Sequence, residues 1–127
     1  MTKTNPGRAQ NLARRPHTPH TRAMMRRTST DQAEWRHVRE GVTLTPLRIA
    51  EGAGTFLMRY APGSRSPAHI HPDGEEIYVV SGSGRLDELA IAAGDFIWTP
   101  PGEAHVLYAE TEVVIHVTLP GPIVLTE

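Results

Sequence analysis

The chain has 127 residues, of which 13 are basic, 14 are acidic and none is cysteine. This length allows one domain with a modest core, and the lack of cysteine excludes disulfide bonds, thiolate metal ligands and thiol catalysis. No run of residues reaches the ~18 consecutive apolar residues of a membrane span, and no apolar run follows the N-terminal basic residues as in a secretory signal, so we expect a cytoplasmic protein without a membrane partner.

Residues 1–30 differ in charge from the rest of the chain. They hold seven basic residues and no acidic one, whereas the remainder holds six arginines and all fourteen acidic residues. Because so polar a segment cannot bury enough apolar surface to offset the entropy of ordering it, we predict a basic disordered tail over 1–30 and a single domain over 31–127. A basic tail can contact phosphates, but a solvated tail is the simpler interpretation, and we do not expect a nucleic-acid partner.

The start of the domain has two interpretations. The segment 29–31 can cap a helix of one or two turns over 32–39, with Trp35 and Val38 on one side. Alternatively, the segment is irregular and Trp35 covers the edge of a barrel.

Short strands separated by turns follow. The segment 42–49 alternates as a strand, and Pro46 indicates an edge position, because proline cannot donate a hydrogen bond to a neighbouring strand. Further strands are predicted over 55–60, 77–80, 85–91 (two very short strands), 106–108, 112–119 and 123–126. A turn is predicted at 92–95, and a short apolar strand follows it within 94–105, before the Pro-Pro-Gly turn. About nine short strands with no long helical pattern indicate an antiparallel sandwich or barrel, without choosing between an immunoglobulin-like sandwich and a jelly roll.

Two histidines and two carboxylates stand close together in the middle of the chain. His69 and His71 are two residues apart, so on a β-strand both imidazoles leave by the same face. The segment 72–74 predicts a turn, after which Glu75 and Glu76 begin a buried strand. Adjacent strand residues point to opposite faces, so only one of these carboxylates can join the histidines.

A third histidine, His105, follows a short apolar strand and a Pro-Pro-Gly turn at 100–102. Two imidazoles and one carboxylate from adjacent strands form a ligand set for zinc, iron, manganese, nickel or copper, and His105 offers a fourth ligand. A tetrahedral zinc site with four protein ligands would be closed and structural, whereas an octahedral iron, manganese or nickel site would keep two open positions. The residues leave this choice open.

These stretches resemble the two sequence motifs of the cupins. The first fits G-x5-H-x-H-x3-E-x6-G through Gly63, His69, His71, Glu75 and Gly82, and the second fits G-x5-P-x-G-x2-H through Gly94, Pro100, Gly102 and His105. Ala109 stands where the second motif usually has asparagine, which removes a polar group but no ligand. Over roughly 35–120 the nearest likeness is to the C-terminal zinc-binding cupin domain of ChrR-type anti-sigma factors, carried by His-x-His-Pro-x-Gly-Glu-Glu-Ile, Asp87-Glu88 and the Pro-Pro-Gly turn.

The resemblance implies a fold, a cofactor and its ligands. The fold is the all-β, antiparallel double-stranded β-helix of the cupins, a jelly-roll barrel. The cofactor is one divalent transition metal per chain (Zn, Fe, Mn, Ni or Cu), and its ligands are His69, His71, Glu75 and His105. The likeness also selects Glu75 over Glu76, since only Glu75 leaves six residues before Gly82.

Several residues near the motifs are candidates for lining a pocket beside the metal. The main candidates are Tyr60, Tyr78, Trp98 and His116, and the wider set adds Phe56, Met58, Ile97, Val106 and Tyr108. A phenol that faces the metal can hydrogen-bond a substrate, although plain core packing is the alternative, since about half of each barrel strand points inward. His116 shares a face with Val114 and Thr118; an inward face would make it a proton-transfer group, and an outward face a surface or interface histidine.

Three functions are open at this point. The resemblance to cupins, which include dioxygenases, implies a metal-dependent dioxygenase acting on a small enol, diketone or phenolic substrate. The likeness to the anti-sigma domain implies instead a zinc-binding regulatory or sensor module without catalysis. Only the sensor half would then be present, because the residues before Trp35 are too few and too polar for a helical sigma-binding domain. A metal-free sugar isomerase or epimerase is the third function, and it does not need the full ligand set.

We also expect a homodimer. Cupins often pair through edge strands, and the short apolar run Ile123-Val124-Leu125 is such an edge. The expected partners are therefore a second copy of the chain and a small-molecule ligand or substrate.

Overall fold

The computed structural model describes residues 24–121 and the backbone of 124–125. Most of the predicted tail lies outside the described residues, so its disorder stays a prediction, as do the domain limits 1–30 and 31–127. The chain divides into two compact units between Ala33 and Glu34. In the first unit, the described residues form one turn of 3₁₀ helix at Thr30–Gln32.

The second unit consists of antiparallel strands. In chain order they are β1 (Arg36–Arg39), β2 (Val42–Ala50), β3 (Ala53–Tyr60), β4 (His69–Ile70), β5 (Glu75–Ser81), β6 (Ser83–Leu86), β7 (Leu89–Ala92), β8 (Phe96–Thr99), β9 (Ala104–His105), β10 (Leu107–Ala109), β11 (Val113–Leu119) and β12 (Val124–Leu125). They form a six-stranded sheet, β1-β2-β3-β11-β5-β8, and two three-stranded sheets, β10-β6-β7 and β12-β4-β9. This confirms the predicted all-β, antiparallel class. Within the described ranges, no helix is long or apolar enough to cross a membrane.

The segment after Trp35 is a strand rather than a helix. Arg36–Arg39 pairs with β2 in the six-stranded sheet. The predicted helix over 32–39 is therefore wrong: strand pairing satisfies the backbone of these residues, whereas a helix of one or two turns is too short to be stable by itself in water. Trp35 is half-buried, and the guanidinium carbon of Arg59 lies 4.1 Å from its ring centroid.

Strand β2 is not an edge strand, although Pro46 led to that prediction. It lies between β1 and β3, but β1 is short and its pairing with β2 ends at Leu44. Pro46 therefore has a neighbouring strand on one side only, and the register with β3 shifts between Pro46 and Arg48. The missing N–H of the proline is tolerated because this stretch of β2 is locally an edge.

The core lies on the inner face of the six-stranded sheet. Along β11 buried residues alternate with partly exposed ones, and Val113, Ile115, Val117 and Leu119 belong to the core. Strand β11 pairs with β3 on one side and with β5 on the other, so its inner residues lie in the middle of the sheet. Each fully buried aliphatic side chain of this kind contributes about 1.5–3 kcal/mol to folding.

Candidate metal centre

The four predicted ligands come from three neighbouring segments. His69 on β4 lies directly opposite His105 on β9 in an antiparallel pair, so the two imidazoles share a face. His71 follows β4 immediately, and Glu75 is the first residue of β5. The structure therefore brings together the four side chains that the two motifs singled out.

The main-chain carbonyl of His71 joins the two motifs. It accepts a hydrogen bond from the N–H of Gly74 at 3.1 Å, within the turn before β5, and another from the N–H of Gly102 at 2.9 Å, in the turn before β9. The loop that carries His71 is thus bonded to the loop that leads to His105. Each loop holds the other in place.

The ligand atoms converge in a buried space. The exposed fractions are 8% for His69, 1% for His71, 5% for Glu75 and 7% for His105. Nε2 of His71 lies 2.9 Å from Oε2 of Glu75, and Nε2 of His105 lies 2.9 Å from Oε1 of Glu75. Taking one ligand atom from each residue, all four lie within 4.8 Å of one another. Such a spread fits atoms that surround a single metal ion.

These close approaches do not satisfy the buried atoms as hydrogen bonds. Nδ1 and Nε2 of His71 and Oε1 of Glu75 are buried without a partner of acceptable hydrogen-bond geometry. A buried polar atom in this state costs about 1–3 kcal/mol of folding free energy. A metal ion among the four side chains would give an imidazole nitrogen and the carboxylate a partner, so the residues present fit a metal.

The protonation of the ligands also fits metal binding. Nδ1 of His69 donates to the main-chain carbonyl of Pro67, and because a carbonyl only accepts, Nε2 of the neutral imidazole carries a free lone pair. Burial lowers the pKa of His69, although this hydrogen bond opposes the shift. Burial alone would raise the pKa of Glu75, but the neighbouring His105 and His71 outweigh it and lower that pKa to about 2. At neutral pH, His69 is thus a neutral imidazole and Glu75 a carboxylate.

Thr99 supports the cluster, and the sequence did not indicate it. Its Oγ1 lies 3.3 Å from Nδ1 of His105, and the residue stands directly opposite Glu75 in the pair of β5 with β8. The hydroxyl can orient the imidazole while Nε2 faces the carboxylate. In the sequence, a threonine before a Pro-Pro-Gly turn has nothing that distinguishes it from other strand residues.

The four ligands lie on the wall of a cavity of about 300 Å³. Most of the remaining wall is apolar and consists of Val38, Leu44, Pro46, Ile49, Phe56, Met58, Ile77, Leu86, Leu107, Ile115 and Leu119. The other side chains with polar groups are Arg36, Tyr60 and Ser66. Val38 and Ile49 are exposed, so they mark the side on which the cavity meets solvent.

Tyr60 and Ser66 add hydroxyl groups to this wall. The hydroxyl of Tyr60 donates to Sδ of Met58 at 3.6 Å, and Oγ of Ser66 accepts the N–H of Leu107 at 2.9 Å. Burial, reinforced by the negative charge of Glu75, raises the pKa of the Tyr60 phenol, although the neighbouring Ser66 hydroxyl opposes the shift. Tyr60 is therefore a protonated donor whose acceptor, a thioether sulfur, is a weak one.

Three of the main pocket candidates lie on the outer face of the sheet. Glu75 points inward, so Tyr78, three residues later on β5, points outward. Trp98 lies opposite the exposed Glu76, and His116 lies opposite Tyr78, which places both on the same outer face. The prediction that Tyr78 and Trp98 line the pocket is therefore wrong, and His116 takes the outward position, one of its two interpretations, and does not line the cavity either.

Residues of the wider set divide in the same way. Those that line the cavity are Phe56 and Met58, together with Tyr60, and those that do not are Ile97, Val106 and Tyr108. The sequence missed Arg36 and Ser66. Neither stands in a pattern that separates it from other polar residues: Arg36 is identified only by the register of its strand, and Ser66 only by the path of the segment between β3 and β4.

A family model matches most of the chain. The model is described as the ChrR cupin-like domain, and it matches residues 23–123. No protein with a curated description matches the chain.

Solved structures share the fold. The polyketide cyclase RemF from Streptomyces resistomycificus has a TM-score of 0.71 and 23% identity, over 82% of this chain and 87% of that chain. An acetylacetone dioxygenase from Acinetobacter johnsonii has a TM-score of 0.72 and 17% identity, over 88% and 83%. The complex of Rhodobacter sphaeroides SigE with the anti-sigma ChrR has a TM-score of 0.63 and 24% identity, over 71% of this chain and 50% of that chain. These likenesses show the fold and confirm the predicted cupin barrel.

Proposed function

The chain belongs to the ChrR cupin-like domain family, and from this premise we propose that it holds one divalent transition metal and acts on a small, largely apolar molecule. The proposed ligands are His69, His71, Glu75 and His105, and the proposed metals are Zn, Fe, Mn, Ni and Cu. Three observations support this: the convergence of the four side chains, their unpartnered buried atoms, and the free lone pair of His69.

The position of the ligand set on an apolar cavity wall carries the functional part of the proposal. A closed structural site would have its ligands covered by protein on every side. Here the rings of Tyr78 and Trp98 point away from the cluster, and the cavity of about 300 Å³ is at the lower end of the range for ligand pockets.

We propose that the chain is a metal-dependent dioxygenase, which adds oxygen from O2 to a small enol, diketone or phenol. The fold shared with an acetylacetone dioxygenase supports this class. When bound, the metal would supply Lewis-acid polarisation of a chelating pair of substrate oxygens. The apolar wall binds the substrate body and excludes water. The Tyr60 hydroxyl exchanges its weak bond to Met58 for a substrate oxygen, and so stabilises the negative charge that develops there.

Elemental analysis combined with an oxygen assay tests the proposal. Tag-free protein purified without chelators should contain about one iron, manganese, nickel or copper ion per chain, and should consume O2 when acetylacetone or catechol is added. Protein that holds no metal even after reconstitution with each of the five metals would refute the proposal.

A zinc-binding regulatory or sensor module without catalysis is the second candidate. The family and the structural likeness to the SigE–ChrR complex favour it, although this chain spans half of the matched chain. The two candidates differ in what happens to the small molecule. A module without catalysis returns an added diketone unchanged, whereas the enzyme consumes it, and mass spectrometry of the reaction mixture separates these outcomes. A metal-free isomerase would leave His71 and Glu75 with unpartnered buried atoms.

For the protein partner we propose a second copy of this chain. The predicted edge at 123–125 lies partly outside the described residues, and 124–125 pairs with β4. A broader surface lies on β5 and β8, and we name it the outer aromatic patch; it consists of Tyr78, Val80, Phe96 and Trp98, which are 47%, 49%, 61% and 62% exposed. Contiguous exposed apolar surface of this kind is typical of interaction sites.

The edge of the sheet is a separate argument for a second copy as the partner. Among the described strands, β8 has a neighbour on one side only, and an edge strand can pair with its own copy about a two-fold axis. An aromatic side chain has an area of about 150–250 Å². Because Tyr78, Phe96 and Trp98 are each about half exposed or more, together they expose roughly 300–400 Å². That is nearly half of the ~800 Å² that each partner buries in a standard interface.

A further inference from the structure

Arg36 is the only lysine or arginine, among the described residues, that lines the cavity. It is the first residue of β1 and lies opposite Leu44. Leu44 lies opposite Met58, and Met58 lies opposite Ile115, so these four residues form one row across the sheet. Residues directly opposite each other share a face, and all four line the cavity. The side chain of Arg36 therefore belongs to the inner row, at the edge strand of the sheet, although the residue is exposed.

The charge of Arg36 is not used within the described part of the chain. No ion pair, hydrogen bond or ring contact there involves its side chain. The guanidinium groups of Arg59 and Arg85 differ in this respect, since they lie over the rings of Trp35 and Tyr108. With no partner among the described residues, Arg36 can offer its planar set of N–H donors to a molecule in the cavity.

The cluster of proposed ligands lies toward the other side of the sheet. Glu75 is on β5, which stands four strand positions from β1 in the order of the sheet. At about 4.8 Å per strand this is roughly 19 Å along the sheet, and less across the cavity because the sheet curves. The wall between these ends is apolar, with Leu44, Met58 and Ile115 in the row described above.

We propose that Arg36 binds the carboxylate of a substrate whose middle is apolar and whose other end reaches the His and Glu cluster. This deepens the proposed function and rests on it. A carboxylate matches the two parallel N–H groups of a guanidinium, which give a bidentate, charge-assisted pair. Arg36 is exposed, so the pair is partly screened by water and salt, and its contribution is smaller than in a closed site. Among the diketones and phenols of the proposed function, those that also carry a carboxylate should therefore bind more tightly than neutral ones.

The test compares an acid with its neutral ester. The probes are 5,7-dioxooctanoate, a diketone with a carboxylate tail, and its methyl ester, titrated calorimetrically into the metal-reconstituted full chain. The variants are Arg36→Gln, Arg36→Lys and the matched control Arg48→Gln, which removes an exposed arginine of β2 that does not line the cavity. Acetylacetone binding and metal content are measured in parallel, because they report on the proposed function alone.

The wild type should bind the acid roughly tenfold more tightly than the ester. Arg36→Gln should abolish this preference, while its affinity for the ester and its metal content stay unchanged. Arg36→Lys should keep part of the preference for the acid, and Arg48→Gln should behave as the wild type. Equal affinity of the wild type for the acid and the ester, or an undiminished preference in Arg36→Gln, overturns the inference about Arg36. If the wild type still binds metal and acetylacetone in that case, the proposed function stands. Loss of metal and acetylacetone binding in the wild type overturns both.

Discussion

The three histidines of the cluster differ in their hydrogen bonding. His69 donates to a main-chain carbonyl, His105 lies beside the hydroxyl of Thr99, and the ring of His71 has no hydrogen-bond partner at either nitrogen. His71 is also the most deeply buried of the three. Apart from its 2.9 Å approach to Glu75, the ring has no hydrogen-bonding partner among the described residues, which agrees with the proposed role of His71 as a metal ligand.

Replacing His71 by alanine should lower the metal content at least about tenfold, because it removes a ligand that no other described side chain can replace. Glu76→Ala is the matched control, since this carboxylate is exposed and points away from the cluster. Plasma mass spectrometry of protein purified without chelators measures the metal. An equal loss in Glu75→Ala and Glu76→Ala would show that the wrong carboxylate has been chosen.

Thr99→Val should weaken metal binding about tenfold, because it removes the hydroxyl beside Nδ1 of His105 with almost no change in volume. A competition titration against a chromophoric chelator measures the affinity. The control is Thr118→Val, which changes a residue on the outer face of the six-stranded sheet, opposite Glu76, and should leave the affinity for metal unchanged. If both variants bind metal as tightly as the wild type, Thr99 has no part in orienting the imidazole.

At the level of the strands, the sequence predicted the four proposed ligands better than the residues that line the cavity around them. The spacing of His69, His71 and Glu75 and the position of His105 were enough to select four side chains that meet, because each lies next to a turn that the sequence also shows. The alternation of β5 was readable too: with Glu75 inward, Tyr78 had to face outward. That step was missed, whereas the outward position of His116 depends on a cross-strand register that no single segment contains.

The start of the domain was mispredicted for a different reason. The run 32–39 has residues that suit a short helix, and its actual state depends on β2 and β3, to which it adds a strand. Local preferences decide little in a segment this short, and pairing with a distant strand overrides them. For this reason the sequence did not predict that Arg36 lines the cavity.

Two turn glycines should differ in their effect on stability. Gly82 and Gly94 have φ values of +86° and +95°, which strain any other residue. A Cβ on Gly82 would lie 1.9 Å from the carbonyl oxygen of Glu112. Around a Cβ on Gly94, by contrast, the described residues other than its two chain neighbours place no atom within 4 Å. Gly94→Ala should lower the unfolding free energy by about 1–2 kcal/mol, and Gly82→Ala by about 1–3 kcal/mol more.

Urea unfolding of the two variants measures this difference, with the slope against denaturant as a check that the unfolded states are comparable. Equal destabilisation would mean that the strand ends around Gly82 move apart at no cost. In that case the packing of Glu112 against this turn does not help to hold β5 in register.

For the whole molecule, the outer aromatic patch should decide the oligomeric state. The wild type should be a dimer, and the double variant Phe96→Ser, Trp98→Ser should raise the dimer dissociation constant at least about 100-fold, because buried aromatic side chains dominate interface energies. Leu89→Ser, which changes a similarly exposed apolar residue on β7, is the control. Light scattering coupled to size-exclusion chromatography measures the mass; a monomeric wild type would contradict the proposal.

The carbonyl of His71 also limits how this site could be transplanted. The run from His69 to Glu75 contains three of the four proposed ligands, and a protein designer would be inclined to graft that segment alone onto another scaffold. The hydrogen bond from Gly102 shows that the main chain at His71 is anchored from outside the segment. The smallest portable unit is therefore a discontinuous one, in which the turn at 100–102 travels with the segment even though it supplies no ligand of its own.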